Sequence, residues 1–125
     1  MSEFLLIGGG AVLGANARYW LTNYFADRFG LQFPYGTLFI NITGSFLLGF
    51  VLVLIGNRVI ADPGYRLLIG TGFLGAYTTF STFSYDTLAL LERGDFLPAL
   101  WNVLLSVVCS IVATYIGMSL ARLIR

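Results

Sequence analysis

Residues 70–84 read GTGFLGAYTTFSTFS and carry the strongest structural signal in this chain. Three glycines precede five hydroxyl-bearing residues between Thr78 and Ser84, and Phe80 and Phe83 lie among those hydroxyls. Because glycine and β-branched threonine both weaken helix propensity, the run predicts a helix broken near residues 75–79. At membrane depth, such backbone is tolerated only where protein buries it or where it lines a cavity.

The composition around this run indicates a membrane protein. Of 125 residues, 58% are hydrophobic and 10% are charged, whereas soluble domains carry about 25% charged residues. So few charges cannot cover a water-facing surface, and lipid is the expected solvent. The net charge of +1, without a basic patch, argues against nucleic acid as a partner. The chain has no histidine and no paired carboxylates, which argues against an enzyme.

Four apolar segments are long enough to cross a bilayer, which takes about 20 residues. The predicted spans cover residues 4–25, 37–55, 64–91 and 97–123. The links between them are too short for a separate soluble domain. We therefore predict an all-α integral membrane protein with four transmembrane helices in a single domain, residues 1–125. A multi-pass position in the cell (inner) membrane is expected.

The arginines give only a weak orientation signal. One predicted side of the membrane holds four of them and the other side two: Arg58, Arg66, Arg122 and Arg125 against Arg28 and Arg93. Under the positive-inside rule this bias is poor, so the chain is expected to insert both ways. Four short helices also enclose too little protein for an aqueous path. Both observations point towards a dimer, with an antiparallel arrangement as one form.

Polar residues recur at helical spacing inside two of the spans. The second span carries Thr37, Asn41 and Ser45, and the fourth carries Asn102, Ser106, Ser110 and Thr114. Residues four apart share a helix face. Each stripe therefore either packs helices together or lines a polar track. A buried amide such as Asn41 needs partners in lipid, and it either bonds another helix or donates to a permeating anion.

The first span combines a packing motif with a charge. Gly10 and Gly14 form a GxxxG pattern, which lets helix backbones approach closely. Arg18 follows on the same helix. Its side chain either snorkels to the membrane interface or lies deeper, where a charge would mark a function.

The chemistry of the third span favours a pathway for a small anion. Phe80 and Phe83 are three residues apart and share a face, and the edge of a phenyl ring is electropositive. Ring edges and hydroxyl donors can replace the hydration shell of a small anion without trapping it, as conduction requires. Carbonyls freed at a helix break are suitable ligands for a small hard cation.

The run 72–84 resembles the signature of the Fluc/CrcB family of fluoride channels. GAVLGANARY at 10–19 and GTLFINITGS at 36–45 resemble the first- and second-helix motifs of that family, so the resemblance extends over essentially the whole chain. The resemblance implies an antiparallel, dual-topology homodimer with two fluoride pathways. It also implies passive export of fluoride, which reduces fluoride toxicity to the cell.

The resemblance also implies roles for particular residues. A structural sodium ion, bound but not transported, would lie at the dimer centre on the backbone carbonyls of Gly75 and Thr78. Arg18 would lie at a vestibule. Asn102 departs from the family pattern, in which this position is often aromatic or small, and its amide would widen or hydrate one end of the track. The fluoride pathway would comprise Asn41, Phe80, Ser81, Thr82, Phe83, Ser106 and Ser110.

Two other functions remain open from the sequence. A small multidrug-resistance-type transporter would share the four helices and the dual topology. Such a transporter exchanges protons at a membrane carboxylate, and the first helix has none between Glu3 and Asp27. A non-conducting membrane assembly factor would use every polar stripe for packing, and an absence of ion flux from the folded dimer would favour it.

Overall fold

The computed structural model describes residues 2–124, which form helices and short connections without a strand. Met1 and Arg125, both counted in the predicted domain, lie outside the described residues. The all-α class is confirmed. The helices are α1 (Ser2–Phe29), α2 (Tyr35–Gly56), α3 (residues 66–77), α4 (Phe80–Glu92) and α5 (Phe96–Arg122). Together α3 and α4 occupy the third predicted span.

Two of these helices contain wider turns with π-helical hydrogen bonding. In α3, Arg66–Leu74 is π-helical and Gly75–Tyr77 is α-helical. In α5, Leu105–Cys109 is π-helical. Residues four apart drift by about 40° per step around an α-helix. A π-helical turn is wider, with bonds from i to i+5, so it counteracts this drift and keeps the polar stripe of α5 towards one side.

Glycine ends two of the helices. Gly30 has φ +80° and donates its N–H to the carbonyl of Ala26 at 2.9 Å, which closes the last turn of α1. Gly94 has φ +82° after α4 and donates to the carbonyl of Leu91 at 3.0 Å. Left-handed backbone is accessible to glycine without a steric cost, so both turns can be tight. The turns bring the α1–α2 and α4–α5 connections to the same end of the molecule, where Arg93 donates to the carbonyl of Gln32 at 2.7 Å.

Other glycines set the distance between helices. A Cβ on Gly10 or Gly14 of α1 would collide with the backbone carbonyls of Leu68 and Phe73 in α3, respectively. A Cβ on Gly72 would lie 2.6 Å from the carbonyl oxygen of Ile7. The GxxxG pattern of the first span is therefore a packing face, and it holds α1 against α3 at backbone contact.

Substituting Gly14 with alanine is expected to destabilise the protein by about 1–3 kcal/mol, because the added methyl overpacks the α1–α3 contact. Gly9→Ala is the matched control, since nothing lies within 4 Å of a Cβ at that position in the same helix. The stability of the two variants is compared by heating each in detergent and measuring the fraction of protein that stays monodisperse at each temperature. Equal stability of both variants would contradict the close approach of α1 and α3.

The outer surface of the molecule is apolar. Two helices, Tyr35–Gly56 and Phe96–Arg122, are long and apolar enough to cross a membrane, and only 28% and 17% of their most apolar windows are buried within the chain. The core helix of a soluble protein would be mostly buried. Large side chains such as Trp20 and Leu123 are 80% and 79% exposed. The helices therefore present their apolar residues outward, as contact with lipid or with another apolar surface requires.

Candidate functional site

An extended pair of residues, Thr78 and Thr79, separates α3 from α4. Thr78 has φ −82° and ψ 156°, and Thr79 has φ −153° and ψ 116°, both in the extended region. Gly75, at the start of the range in which the break was predicted, keeps helical angles of −62° and −36°. The extended pair lies near the middle of the third predicted span, and helix resumes at Phe80.

The amide of Asn41 in α2 holds the extended pair through two hydrogen bonds. Its Nδ2 donates to the carbonyl of Thr79 at 3.0 Å, and its Oδ1 accepts the Thr79 backbone N–H at 2.9 Å. Both Thr79 backbone groups are thereby satisfied outside a helix, as buried backbone requires. Asn41 thus bonds another helix, and one Nδ2 proton is not used by these two bonds.

The hydroxyl of Thr79 starts the next helix. It accepts the backbone N–H of Thr82 at 3.1 Å, which is the N-cap arrangement for α4. In a continuous helix the N–H of residue i+4 serves the carbonyl of residue i. Here the N–H groups of Thr79 and Thr82 are engaged by side chains, so the carbonyls of Gly75 and Thr78 are released from their regular helical bonds.

Arg18 of α1 contacts the end of α3. Its Nε donates to the carbonyl of Ala76 at 3.0 Å, and the side chain is part-buried. A cation at a helix C-terminus interacts favourably with the helix dipole. No carboxylate of residues 2–124 lies within ion-pair distance of Arg18. The structure therefore places this arginine against the C-terminal end of α3, where it satisfies the carbonyl of Ala76.

A cavity of about 300 Å³, here called the phenylalanine cavity, opens beside the extended pair between α2, α4 and α5. It has room for several water molecules, each of which takes about 30 Å³ in the liquid. Five of the seven residues expected in the pathway line it. The lining comprises Asn41, Ser45, Thr78, Thr79, Phe80, Phe83, Ser106, Val107, Ser110 and Ile111.

The two phenylalanines of this cavity differ in exposure. Phe83 is 9% exposed and Phe80 is 78% exposed, and their ring centroids are 5.5 Å apart at an angle of 51°. The two rings are therefore tilted neighbours, one in the wall of the cavity and one at its rim. Because Phe80 lies on the rim and faces outward, the cavity opens at the surface of the chain.

The hydroxyls on α5 also differ. The Oγ of Ser110 is buried and has no hydrogen-bond partner among the described residues. The Oγ of Ser106 lies 3.5 Å from Oδ1 of Asn102. The hydroxyl of Thr114, the last member of the stripe, lies 2.9 Å from the carbonyl of Ser110 in its own helix and 3.2 Å from the carbonyl of Ser45, so Thr114 lies against α2. The end of the stripe therefore packs against α2, while Ser106 and Ser110 are among the residues that line the phenylalanine cavity.

Thr82 and Ser81 do not line the phenylalanine cavity. Thr82 lines a second cavity of about 160 Å³, the loop-end cavity, together with Thr37, Asp86 and Arg93. Ser81 is exposed, and its hydroxyl lies 3.3 Å from that of Thr79. The expected pathway residues therefore fall into two neighbouring places, joined by the first turn of α4.

Sequence reasoning missed Thr79, whose side chain and backbone organise the extended pair. A signal was present, because Thr79 precedes the helical run of α4 as an N-cap residue does. Ser45 was assigned to the α2 stripe but not to the pathway, and it lines the phenylalanine cavity. Only its distance from Thr78 and Thr79 along the chain concealed that contact.

A family model and several relatives with the same name match this chain. Residues 5–118 match the family model described as CrcB-like protein, Camphor Resistance (CrcB). A protein named fluoride-specific ion channel FluC from Methylococcus capsulatus is 52% identical over 98% of this chain, which spans 53% of that relative's length. Relatives of the same name from Rhizobium meliloti and Chloroflexus aurantiacus are 44% and 43% identical over 98% of this chain, and 98% and 97% of their own lengths.

Proposed function

This chain belongs to the CrcB-like protein family, and we propose from that premise that it is a fluoride-selective ion channel. Passive fluoride export through it would reduce fluoride toxicity, and its place would be the cell (inner) membrane, which it would cross several times. The phenylalanine cavity carries the proposal, since it combines phenyl rings with hydroxyl donors at a non-helical point of a membrane helix.

The cavity offers the chemistry that a small, strongly hydrated anion needs. Phenyl rings are positive at their edges and the Ser110 hydroxyl has no partner among the described residues, so Phe80, Phe83 and Ser110 would give an anion favourable contacts once their side chains turn towards it. The lining residues carry no charge, so an anion is stabilised but not held tightly. Conduction requires this compromise between entry and release. The loop-end cavity, next along α4, would lead the anion towards the surface.

A second copy of the chain would complete the pathway. Phe80 is 78% exposed beside the cavity, and Gly75 is exposed as well. An apolar ring and a glycine at the surface suit contact with another protein surface. We propose a homodimer, antiparallel because the arginines give only a weak bias between the two predicted sides, with one fluoride pathway for each copy.

The released carbonyls suit a structural sodium ion between the two copies. Hard cations take carbonyl oxygens as ligands, and the carbonyls of Gly75 and Thr78 have lost their regular helical donors to Asn41 and Thr79. Residues 2–124 contain no cluster of three His, Cys, Asp or Glu side chains that could hold a metal. Gly75 and Thr78 of each copy would hold sodium, which would supply positive charge that fixes the dimer without being transported.

Removal of sodium is expected to weaken the dimer and lower fluoride efflux. Each tenfold rise in sodium above its Kd would add about 1.4 kcal/mol to the stability of the bound state. Dimer stability would be measured across a sodium series in which N-methyl-D-glucamine, too large for a carbonyl cage, keeps the ionic strength constant. An unchanged dimer and unchanged efflux in sodium-free buffer would contradict the carbonyl site.

Fluoride efflux from liposomes that contain the purified protein tests the proposed function. A fluoride electrode reads the efflux, and chloride efflux from matched liposomes is the control. Fast release of fluoride without release of chloride is the expected result. Release of neither ion from protein shown to be dimeric would favour the assembly-factor function, and the polar stripes would then serve helix packing alone.

A further inference from the structure

Asn102 is a buried amide between α4 and α5 that the proposed pathway does not use. Its side chain is 2% exposed, and it does not line the phenylalanine cavity. A buried amide without partners is costly, so its hydrogen bonds decide what it does. Nδ2 of Asn102 donates to the hydroxyl of Thr87 at 2.9 Å, and Oδ1 lies 3.5 Å from the hydroxyl of Ser106, which does line the cavity.

The direction of each hydrogen bond in this set is fixed by its neighbours. The hydroxyl of Thr87 donates its single proton to the carbonyl of Phe83 at 2.8 Å, so its oxygen can only accept from Asn102. The amide must therefore turn its nitrogen towards Thr87 and its oxygen towards Ser106. Since an amide oxygen only accepts, Ser106 must donate. The chain runs from Ser106 to Asn102, then to Thr87, and ends on the carbonyl of Phe83.

This chain makes the two serines of the cavity chemically unequal. The proton of Ser106 is directed to Asn102, across a distance of 3.5 Å that is long for a hydrogen bond. The hydroxyl of Ser110, one helical turn further, has no partner in the described part of the chain. An anion beside Ser106 must compete with Asn102 for the hydroxyl hydrogen, whereas the buried hydroxyl of Ser110 has no such competitor among the described residues.

We propose that Asn102 is a positioning residue that limits how tightly the cavity binds fluoride. Between ion passages its Oδ1 accepts a hydrogen bond from the hydroxyl of Ser106. This inference rests on the proposed channel function and adds a residue that acts through Ser106 without touching the ion. When an anion arrives, the Ser106 hydroxyl turns from Asn102 and donates its hydrogen bond to the anion. When the anion leaves, the hydroxyl turns back to Asn102. Binding at this end of the cavity is thereby weakened, which favours release.

The test is the half-saturating fluoride concentration for efflux, measured for four proteins. These are the wild type, Asn102→Leu, Ser106→Ala and the double variant. Asn102→Leu removes the competing acceptor and should lower the half-saturating concentration by about two- to tenfold, the range that one ordinary hydrogen bond allows. In the Ser106→Ala background, Asn102→Leu should leave the half-saturating concentration unchanged, because the Ser106 hydroxyl through which Asn102 acts is absent.

Thr87→Val gives a second route to the same result. Without the Thr87 hydroxyl nothing fixes the amide, and Asn102 can turn its nitrogen to Ser106 and free the Ser106 proton. The half-saturating concentration should again fall, and again only when Ser106 is present. This variant keeps the inference open to test if Asn102→Leu fails to fold.

Asn16→Leu is the matched control, since Asn16 is exposed on α1 and its amide bonds only to the carbonyl of Val12 at 2.6 Å. A merely structural role for Asn102 would change the number of active channels and leave the half-saturating concentration unchanged. That result, or an equal shift with and without the Ser106 hydroxyl, overturns the inference. A wild type that conducts no fluoride would instead refute the proposed function itself.

Discussion

Replacing Phe83 with isoleucine should lower fluoride efflux by about thirtyfold, while the dimer still forms. The phenyl edge is positive and the aliphatic side chain has no comparable field. A thirtyfold loss corresponds to about 2 kcal/mol of lost stabilisation of the anion in the cavity. Phe83 is 9% exposed in the cavity wall, so its ring acts in a poorly hydrated place. Initial efflux rates at matched protein density give the measurement.

Phe80→Ile separates the effect on conduction from the effect on folding. Phe80 is 78% exposed in the single chain, so its substitution removes little packing from the fold. We expect a smaller loss of efflux, about two- to tenfold, because Phe80 lies at the rim of the cavity whereas Phe83 lies in its buried wall. Phe96→Ile is the matched control, since Phe96 is 68% exposed at the start of α5 and does not line the cavity. Normal efflux from both Phe80→Ile and Phe83→Ile would remove the rings from the pathway.

Replacing Asn41 with leucine should abolish conduction and destabilise the protein. The variant leaves the N–H and the carbonyl of Thr79 without their amide partner, which costs about 1–3 kcal/mol for each unsatisfied group. Alternatively, the Thr79 N–H returns to the carbonyl of Gly75 and helix closes across the extended pair. In that case the carbonyl proposed for sodium is occupied, and the backbone that lines the cavity is lost.

Efflux, thermal stability and sodium dependence would each be measured on Asn41→Leu. Asn16→Leu again serves as the control, because the same chemical change there removes one local bond to the preceding turn. If the protein re-forms the helix, stability is largely kept while sodium dependence and efflux disappear. Retention of full efflux and sodium dependence would contradict the part that Asn41 plays in holding the extended pair.

The helices could be predicted because their causes are local. Apolar runs, Pro34 before α2 and the glycines at positions 30 and 94 act on the backbone beside them. The predicted spans accordingly agree with the structure within a few residues at each end. The GxxxG face of α1 was also predictable, since the absence of side chains on Gly10 and Gly14 is a property of sequence alone.

The position of the extended pair could be predicted only in part. The sequence predicted a break near residues 75–79, and within that range Gly75 is helical and the chain becomes extended at Thr78 and Thr79. Glycine lowers the stability of a helix, but it does not take hydrogen bonds away from it. The backbone N–H of Thr79 leaves the helical pattern because Oδ1 of Asn41, 38 positions away in the sequence, accepts its hydrogen bond.

The sequence by itself determined the helical class, the lipid-facing composition and the family resemblance, because each follows from residue type and short-range spacing. Tertiary structure decided which carbonyls are released and that Arg18 contacts Ala76. It also decided that Ser106 donates a hydrogen bond to Asn102, while the hydroxyl of Ser110 has no partner among the described residues. The physical reason is that a hydrogen bond needs a donor and an acceptor only a few ångströms apart. Helix packing alone determines which donors and acceptors from distant parts of the chain come that close.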